Sequence, residues 1–129
     1  MGSDGGSVFL QVPQRAWVAS NDLAFAIRDT YPVAPGHCLV IPRRLVGTWD
    51  ETTPEERQAL VALMSQVKEQ LRDEFHPDGF NVGFNEGTAA GQTVFHLHIH
   101  VIPRFAGDVP DPRGGIRHAV MGMGNWQAR

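Results

Sequence analysis

The sequence predicts a single α+β domain with an antiparallel sheet, because strand patterns follow one another directly and only one segment has a long helical period. The chain of 129 residues is long enough for one domain with a substantial core. Its 42% hydrophobic and 19% charged residues are typical of globular proteins. One strand pattern carries three histidines, and the rest of the chain is best understood as the frame that holds them.

The chain begins with an expected flexible lead followed by a hairpin. Residues 1–7 are small and polar, so we place the domain itself at residues 8–129. Apolar residues predict strands at 17–19 and 23–27, and the polar cluster at 20–22 predicts the turn between them.

The middle of the chain predicts one buried strand and one long helix. The strand covers residues 37–42 and ends at a proline. Thr53 is the expected N-cap of the helix, Pro54 suits its first position, and Glu56 completes a capping box. The helix is expected to end before the breaker cluster at 76–79. Its buried face should consist of Leu60, Leu63, Met64, Val67, Leu71 and Phe75.

The last part of the chain predicts two strands and an irregular tail. Residues 80–85 alternate between apolar and polar types and predict a strand. A glycine-bounded loop at 86–91 leads into the histidine-bearing strand at 92–104. Residues 108–129 begin with a run rich in proline and glycine, so no regular element is expected there.

His96, His98 and His100 occupy every second position of their strand, which predicts that all three project to one face. Successive members should lie about 7 Å apart at a rise of ~3.3 Å per residue. The apolar residues that should point into the core are Leu97, Ile99 and Val101. A row of imidazoles on one face indicates chemistry, because imidazole titrates near neutral pH and serves as nucleophile, base, acid or metal ligand.

Composition excludes several other classes of function. The net charge of −3 creates no strong field toward a nucleic acid polymer or an anionic membrane. No apolar run reaches transmembrane length, and the start lacks the features of a signal peptide, so a cytoplasmic protein is expected. The single cysteine, Cys38, excludes an internal disulfide and a cysteine-built zinc site.

The histidine row leaves three interpretations open. The residues could be structural, but strict alternation beside a glycine loop makes that the weaker explanation. They could bind zinc, although neighbouring side chains on one strand rarely converge on one ion. They could supply a nucleophile that attacks phosphorus and forms a covalent intermediate.

A nucleophilic histidine needs a defined tautomer and donors for the phosphate oxygens. His100 could donate when protonated, and the amide of Asn85 could donate as well. The run Gly91-Gln92-Thr93 offers backbone and side-chain donors, and its glycine allows close approach of a phosphate. Asp29 is either a turn residue or an acceptor for a pair of ribose hydroxyls.

The run His96-Leu97-His98-Ile99-His100, followed by two apolar residues, resembles the signature of the histidine triad (HIT) superfamily. Residues 29–42, 85–87 and 91–92 resemble other blocks of this family in the same order. The resemblance implies an α+β HIT-like fold: a five-stranded antiparallel sheet with one long helix and a short helix. It also implies a homodimer, which is common in the family.

The resemblance further implies a role for each matching residue. His98 would be the nucleophile that takes up a nucleoside monophosphoryl group, and His100 would contact the phosphate. Asp29 would hold the ribose hydroxyls, and Ile27 would pack on the base. The histidines that order the site from behind would be His96 and His37. The residues near the phosphate and the leaving group would be Asn85, Gly91, Gln92 and Thr93. No metal and no other cofactor is expected to be required.

Residues 91–104 look like the fragile-histidine-triad branch and its bacterial relatives, which hydrolyse dinucleoside polyphosphates. Asp29 departs from that branch, which often has an amide there, whereas a carboxylate is common in the phosphoramidase branch. Because the longer match is to the fragile-histidine-triad branch, we expect an adenosine-type dinucleoside polyphosphate as substrate. The alternatives are a nucleoside phosphoramidate hydrolase, a metalloenzyme that uses the same histidines, and a non-catalytic nucleotide-binding module.

Overall fold

One long helix and a five-stranded antiparallel sheet form the fold in a computed structural model, which describes residues 6–121 and 124. The strands are β1 (Ala19–Ser20), β2 (Ala24–Arg28), β3 (Cys38–Pro42), β4 (Gly79–Gly83) and β5 (Ile99–Arg104). Their spatial order is β1-β2-β3-β5-β4, and every neighbouring pair is antiparallel. The predicted α+β class, the hairpin and the five-stranded sheet are thus confirmed.

The helix α1 (Pro54–Phe75) begins and ends where the sequence predicts. The hydroxyl of Thr53 accepts from the backbone N–H of Glu56 at 3.1 Å, and the Glu56 carboxylate accepts from the Thr53 N–H at 2.8 Å. These reciprocal bonds satisfy two N–H groups that the first turn leaves without helical partners. The chain leaves the helix through His76, which has a left-handed conformation with φ of 55°.

The core lies between α1 and one face of the sheet. The buried helix residues Leu60, Leu63, Val67 and Leu71 pack there, with the predicted Met64 and Phe75 only partly buried beside them. The β5 side contributes Leu97, Ile99 and Val101, as the alternation predicts. A second apolar cluster covers the opposite face of the sheet and consists of Phe9, Phe25, Ile27, Leu39 and Ile41. The histidine-bearing face is therefore the one turned away from α1.

Four strands are shorter than predicted: β3 begins at residue 38 instead of 37, β4 ends at residue 83 instead of 85, and β1 and β5 differ more. Trp17 precedes β1 and stacks its ring on Phe25 at 4.7 Å between centroids instead of joining the ladder. The histidine strand begins at Ile99, so His96 and His98 lie in the irregular segment before it. This segment is bonded to the β3–α1 connection, since the Leu97 N–H donates to the Val46 carbonyl at 2.7 Å.

Five 3-10 segments take the place of the expected short helix among the described residues: Val8–Gln11, Gln14–Ala16, Trp49–Glu51, Thr88–Ala90 and Gly115–Ala119. The last belongs to the tail, which is otherwise irregular over its described part as predicted. Tail residues 122–123 and 125–129 lie outside the described residues. No helix in the described part of the chain is long and apolar enough to cross a membrane.

The lead predicted at residues 1–7 is too long by at least one residue. Ser7 is buried and caps the first 3-10 segment, because its hydroxyl accepts from the Phe9 N–H at 3.0 Å. Sequence alone assigned Ser7 to the lead because the run before it is small and polar. Residues 1–5 lie outside the described residues.

Candidate active site

Strand register brings the predicted site residues together on the face away from α1. Ile27 on β2 pairs with Leu39 on β3, and Leu39 pairs with His100 on β5. Side chains of directly opposed residues share a face, so these three form one row across the sheet. With His98 they line a cavity of about 440 Å³, which lies in the range for a small-molecule site.

The tautomer of His98 is set by the backbone of the same segment. Its Nδ1 lies 2.7 Å from the carbonyl oxygen of His96, and because a carbonyl can only accept, Nδ1 carries the proton. In the neutral ring Nε2 is then left with its lone pair free. The Phe9 ring packs against the His98 ring with 4.9 Å between centroids. His98 is therefore held in an orientation and a protonation pattern suited to nucleophilic attack through Nε2.

The proton position on His100 follows from a chain of three groups. The backbone N–H of Val33 donates to Nδ1 of His37 at 3.2 Å, so the proton of a neutral His37 resides on Nε2. That Nε2 lies 2.9 Å from Nδ1 of His100 and donates to it. The proton of His100 must consequently sit on its own Nε2. A backbone amide thus makes His100 a hydrogen-bond donor at its remaining nitrogen.

Burial keeps both members of this pair neutral. Desolvation lowers the pKa of His37, and the nearby Asp29 carboxylate only partly offsets it. Desolvation, together with repulsion from His98 and His37, lowers the pKa of His100 to about 4. The sequence led us to expect that His100 donates when protonated; with its proton on Nε2, the neutral ring can also donate near neutral pH.

Asp29 joins this network and also lines the cavity. Its Oδ2 lies 3.3 Å from Nε2 of His37, and its Oδ1 accepts from the Tyr31 N–H at 2.9 Å. Each carboxylate oxygen has a second lone pair, so the group can still accept hydrogen bonds from a ligand. The predicted turn function and the predicted acceptor function of Asp29 are thus compatible.

His96 lies beneath the site and has no exposed surface. Its Nε2 donates to the Pro42 carbonyl at 2.8 Å, so its Nδ1 accepts from the Ser7 hydroxyl at 2.9 Å. Burial lowers the pKa of His96, and both nitrogens are satisfied by the neutral ring. These bonds anchor the segment whose carbonyl orients His98.

The glycine loop contributes to the cavity in part. Asn85, Gly91 and Thr93 line it, and Gly91 has a φ of 95°, a conformation that favours glycine. Gln92 does not face the cavity: its Oε1 accepts from the Gly87 N–H, and its Nε2 donates to the carbonyls of Gly47 and Val94. The predicted contact of the Gln92 side chain with phosphate therefore has no support in this geometry, because its amide braces the loop.

Several lining residues were missed by sequence reasoning: Val8, Phe9, Val12, Thr30, Tyr31, Leu39 and Val94. Thr30 and Tyr31 follow Asp29 directly, and that adjacency could have indicated them. Phe9 belongs to an apolar run without periodicity, and only its long-range packing on His98 reveals its place.

Asp29, His37 and His100 are also the described residues whose ligand atoms cluster closely enough to hold a metal ion, within 4.8 Å of one another. The hydrogen-bond roles oppose such a use. His37 would have to give up the proton on Nε2, and its Nδ1 proton would then face the donor N–H of Val33.

Comparison with known proteins adds a family and named relatives. The model of the HIT domain family matches residues 11–107. An AP-4-A phosphorylase from Mycobacterium tuberculosis is 38% identical over 106 residues, covering 78% of this chain and 54% of the relative. A bis(5'-adenosyl)-triphosphatase from Dictyostelium discoideum is 39% identical over 85 residues, covering 66% of this chain and 57% of the relative.

A solved structure of similar fold is a zinc-bound histidine triad family protein from Mycobacterium smegmatis. It superposes with a TM-score of 0.72 at 33% identity and covers 82% of this chain and 84% of its own. The chain spans about half to three fifths of the length of the two curated relatives named above.

Proposed function

The chain belongs to the HIT domain family, and from this premise we propose that it hydrolyses dinucleoside polyphosphates at the α-phosphate through a nucleotidyl-histidine intermediate. The observation that carries the proposal is the 2.7 Å hydrogen bond from Nδ1 of His98 to the His96 carbonyl. It leaves a nucleophilic Nε2 on a ring that lines a nucleotide-sized cavity. The names of two relatives, which refer to dinucleoside polyphosphates, support this substrate class.

In the first step the lone pair on Nε2 of His98 attacks the α-phosphorus. The bond from that phosphorus to the bridging oxygen breaks, and its electron pair leaves with the polyphosphate. His98 gains positive charge as the new P–N bond forms, and the carbonyl that accepts its Nδ1–H stabilises that charge. In the second step water attacks phosphorus, the P–N bond breaks, and His98 returns to the neutral ring while the water proton passes to the solvent.

The cavity provides a place for each part of the nucleotide. The apolar side chains of Ile27, Leu39 and Phe9 can contact the base, and Asp29 can accept from the ribose hydroxyls. The donor Nε2–H of His100 can bind a non-bridging phosphate oxygen, where negative charge is concentrated. These roles require neither a metal ion nor another cofactor.

A nucleoside phosphoramidate is the second candidate substrate, because Asp29 is a carboxylate and that type is common in the phosphoramidase branch. An amine leaving group must take up a proton as the P–N bond breaks, whereas a polyphosphate leaves as a stable anion. A neutral His100 is a poor acid, and this favours the anhydride substrate.

The proposal is tested by assaying the purified protein with diadenosine triphosphate, diadenosine tetraphosphate and adenosine phosphoramidate. We expect the highest specificity constant for a diadenosine polyphosphate. Intact-mass spectrometry after a rapid alkaline quench, which preserves the acid-labile P–N bond to histidine, should show one nucleoside monophosphoryl adduct, and His98→Asn should abolish it. His76→Asn serves as the matched control, since His76 lies at the end of α1 and asparagine tolerates its left-handed conformation.

Binding of the nucleotides without products or adduct would contradict the proposal and indicate the non-catalytic module. A homodimer remains an expectation from the family resemblance, and a cytoplasmic location remains an expectation from the composition. Light scattering during size-exclusion chromatography tests the homodimer.

A further inference from the structure

A second cavity of about 330 Å³ lies beside the first and shares His100 and Asn85 with it. The first cavity extends from His100 over β2 and β3, whereas the second extends over β4. We propose that this second cavity binds the leaving nucleoside of the dinucleoside polyphosphate. The inference rests on the proposed function and specifies what departs when His98 attacks.

The walls of the second cavity suit a nucleoside better than a bare phosphate chain. Its apolar lining comes from Val33, Val82, Phe84, Ile102, Ile116 and Ala119. A base has flat apolar faces and polar edges, and aromatic rings recognise such faces by stacking. Phe84 remains 38% exposed although its ring stacks on Trp49, so part of it is open to a ligand.

The polar groups of the second cavity are placed for the edges of a base and for the phosphates. Asn85 lies at the shared boundary, where a polyphosphate would cross from one cavity to the other. Asn81 lines the second cavity, and its carbonyl oxygen accepts from Arg104 at 2.6 Å. That bond orients the Asn81 amide, and the N–H₂ group of an amide can donate to the edge of a base.

The position of His98 makes the two cavities unequal. Among the described residues, His98 lines the first cavity and does not line the second. The phosphorus that it reaches therefore carries the nucleoside of the first cavity. The nucleoside in the second cavity, on the other side of His100, departs with the leaving group. The two ends of a symmetrical substrate therefore have different fates.

The C-terminal segment builds one wall of the second cavity. Ile116 and Ala119 belong to the 3-10 segment Gly115–Ala119, which packs so closely that a Cβ on Gly115 would approach the Asn81 amide to 3.3 Å. The start of the tail is held by the ion pair of Arg104 with Asp108 at 2.8 Å. The tail that sequence reasoning left without a role thus becomes part of substrate recognition.

The test compares two substrates with the same α-phosphate chemistry: diadenosine tetraphosphate and adenosine 5'-tetraphosphate. The second adenosine is present only in the first. We expect the ratio of their specificity constants to fall about tenfold in Ile116→Ser and Phe84→Ala, as one base loses its apolar contacts. Val120→Ser is the matched control, because Val120 is an exposed apolar tail residue that does not line the cavity.

Binding affinity provides a second measurement, which does not depend on turnover. In the His98→Asn background, calorimetric affinity for diadenosine tetraphosphate should fall with Ile116→Ser, whereas affinity for adenosine monophosphate should not. Ile116 is 62% exposed, so this variant is expected to fold normally. If the wild type hydrolyses neither tetraphosphate, the proposed function fails. If it hydrolyses both and Ile116→Ser changes neither the ratio nor the affinity, the second cavity does not bind the leaving nucleoside.

Discussion

Nε2 of His37 lies 2.9 Å from Nδ1 of His100, and this contact determines which nitrogen of His100 carries the proton. The direction of the bond is set by the Val33 N–H, which occupies the other nitrogen of His37. A histidine that does not line the first cavity thereby makes its neighbour a hydrogen-bond donor at Nε2. In the proposed mechanism His37 would therefore be a positioning residue.

Replacing His37 with Phe should reduce kcat/KM by about 10–100-fold. This is the typical loss when a residue that hydrogen-bonds to a metal-ligating histidine, and so orients it, is mutated. The measurement that identifies the cause is the His100 tautomer, read from long-range ¹H–¹⁵N correlation spectra. The wild type should show Nε2–H, and the variant should show a mixture of tautomers. Wild-type spectra with the proton on Nδ1 of His100 would refute the proton chain.

Replacing His98 with Asn should lower turnover of diadenosine polyphosphates by more than about 10³-fold, because the covalent route is lost. Nucleotide affinity should change little, since the cavity keeps its other lining residues. Single-turnover product analysis and calorimetry measure the two quantities. Turnover by this variant at the parental rate would disprove the nucleophilic role.

Stability should fall as pH falls below about 6.5, the ordinary histidine value. Burial lowers the folded-state pKa of His37, His96 and His100, the last to about 4. Between these pH values the unfolded chain binds protons that the folded chain does not, so the free energy of unfolding decreases toward acid. The contribution is complete above pH 6.5 and is lost progressively toward the folded-state values.

Urea unfolding at pH 7.5, 6.5 and 5.0 measures this dependence. His100→Gln should reduce the loss of stability between pH 6.5 and 5.0, because its neutral amide does not titrate. His118→Gln provides the comparison, since His118 is exposed. An equal pH slope in wild type and His100→Gln would show that His100 titrates alike in both states.

Removing the Ser7 hydroxyl should destabilise the fold by about 1–3 kcal/mol, because His96 is left with an unsatisfied buried nitrogen. Thermal or urea unfolding of Ser7→Ala measures the loss. Ser65→Ala on the exposed side of α1 is the control and should be nearly neutral. Equal stability of the two variants would mean that the Ser7–His96 bond contributes nothing.

Activity should be fully retained after dialysis against a chelator. The proton on Nε2 of His37 opposes a metal at Asp29, His37 and His100, and the proposed steps use the protein's own groups. The zinc-bound relative makes the measurement informative. Loss of activity that added zinc restores would overturn the metal-free mechanism.

The sequence alone determined the features that depend on neighbouring residues. Thr53, Pro54 and Glu56 specify the start of α1 because capping bonds join residues three apart. The alternation around His98 and His100 specifies which side chains enter the core, because successive strand residues point to opposite faces. The same local pattern carried the family resemblance, and the match over residues 11–107 confirmed it.

Only the tertiary structure decided how the site residues are used. Ser7 and His96 are 89 residues apart, and His37 and His100 are 63 apart, so no local pattern joins them. The side chain of Gln92 is of a type that can bind phosphate. Its amide instead stabilises the loop, because it forms hydrogen bonds with three backbone groups. The residue types indicate which chemistry is possible. The positions of protons and the available donors depend on the tertiary structure, because strand register brings distant backbone groups within hydrogen-bond distance.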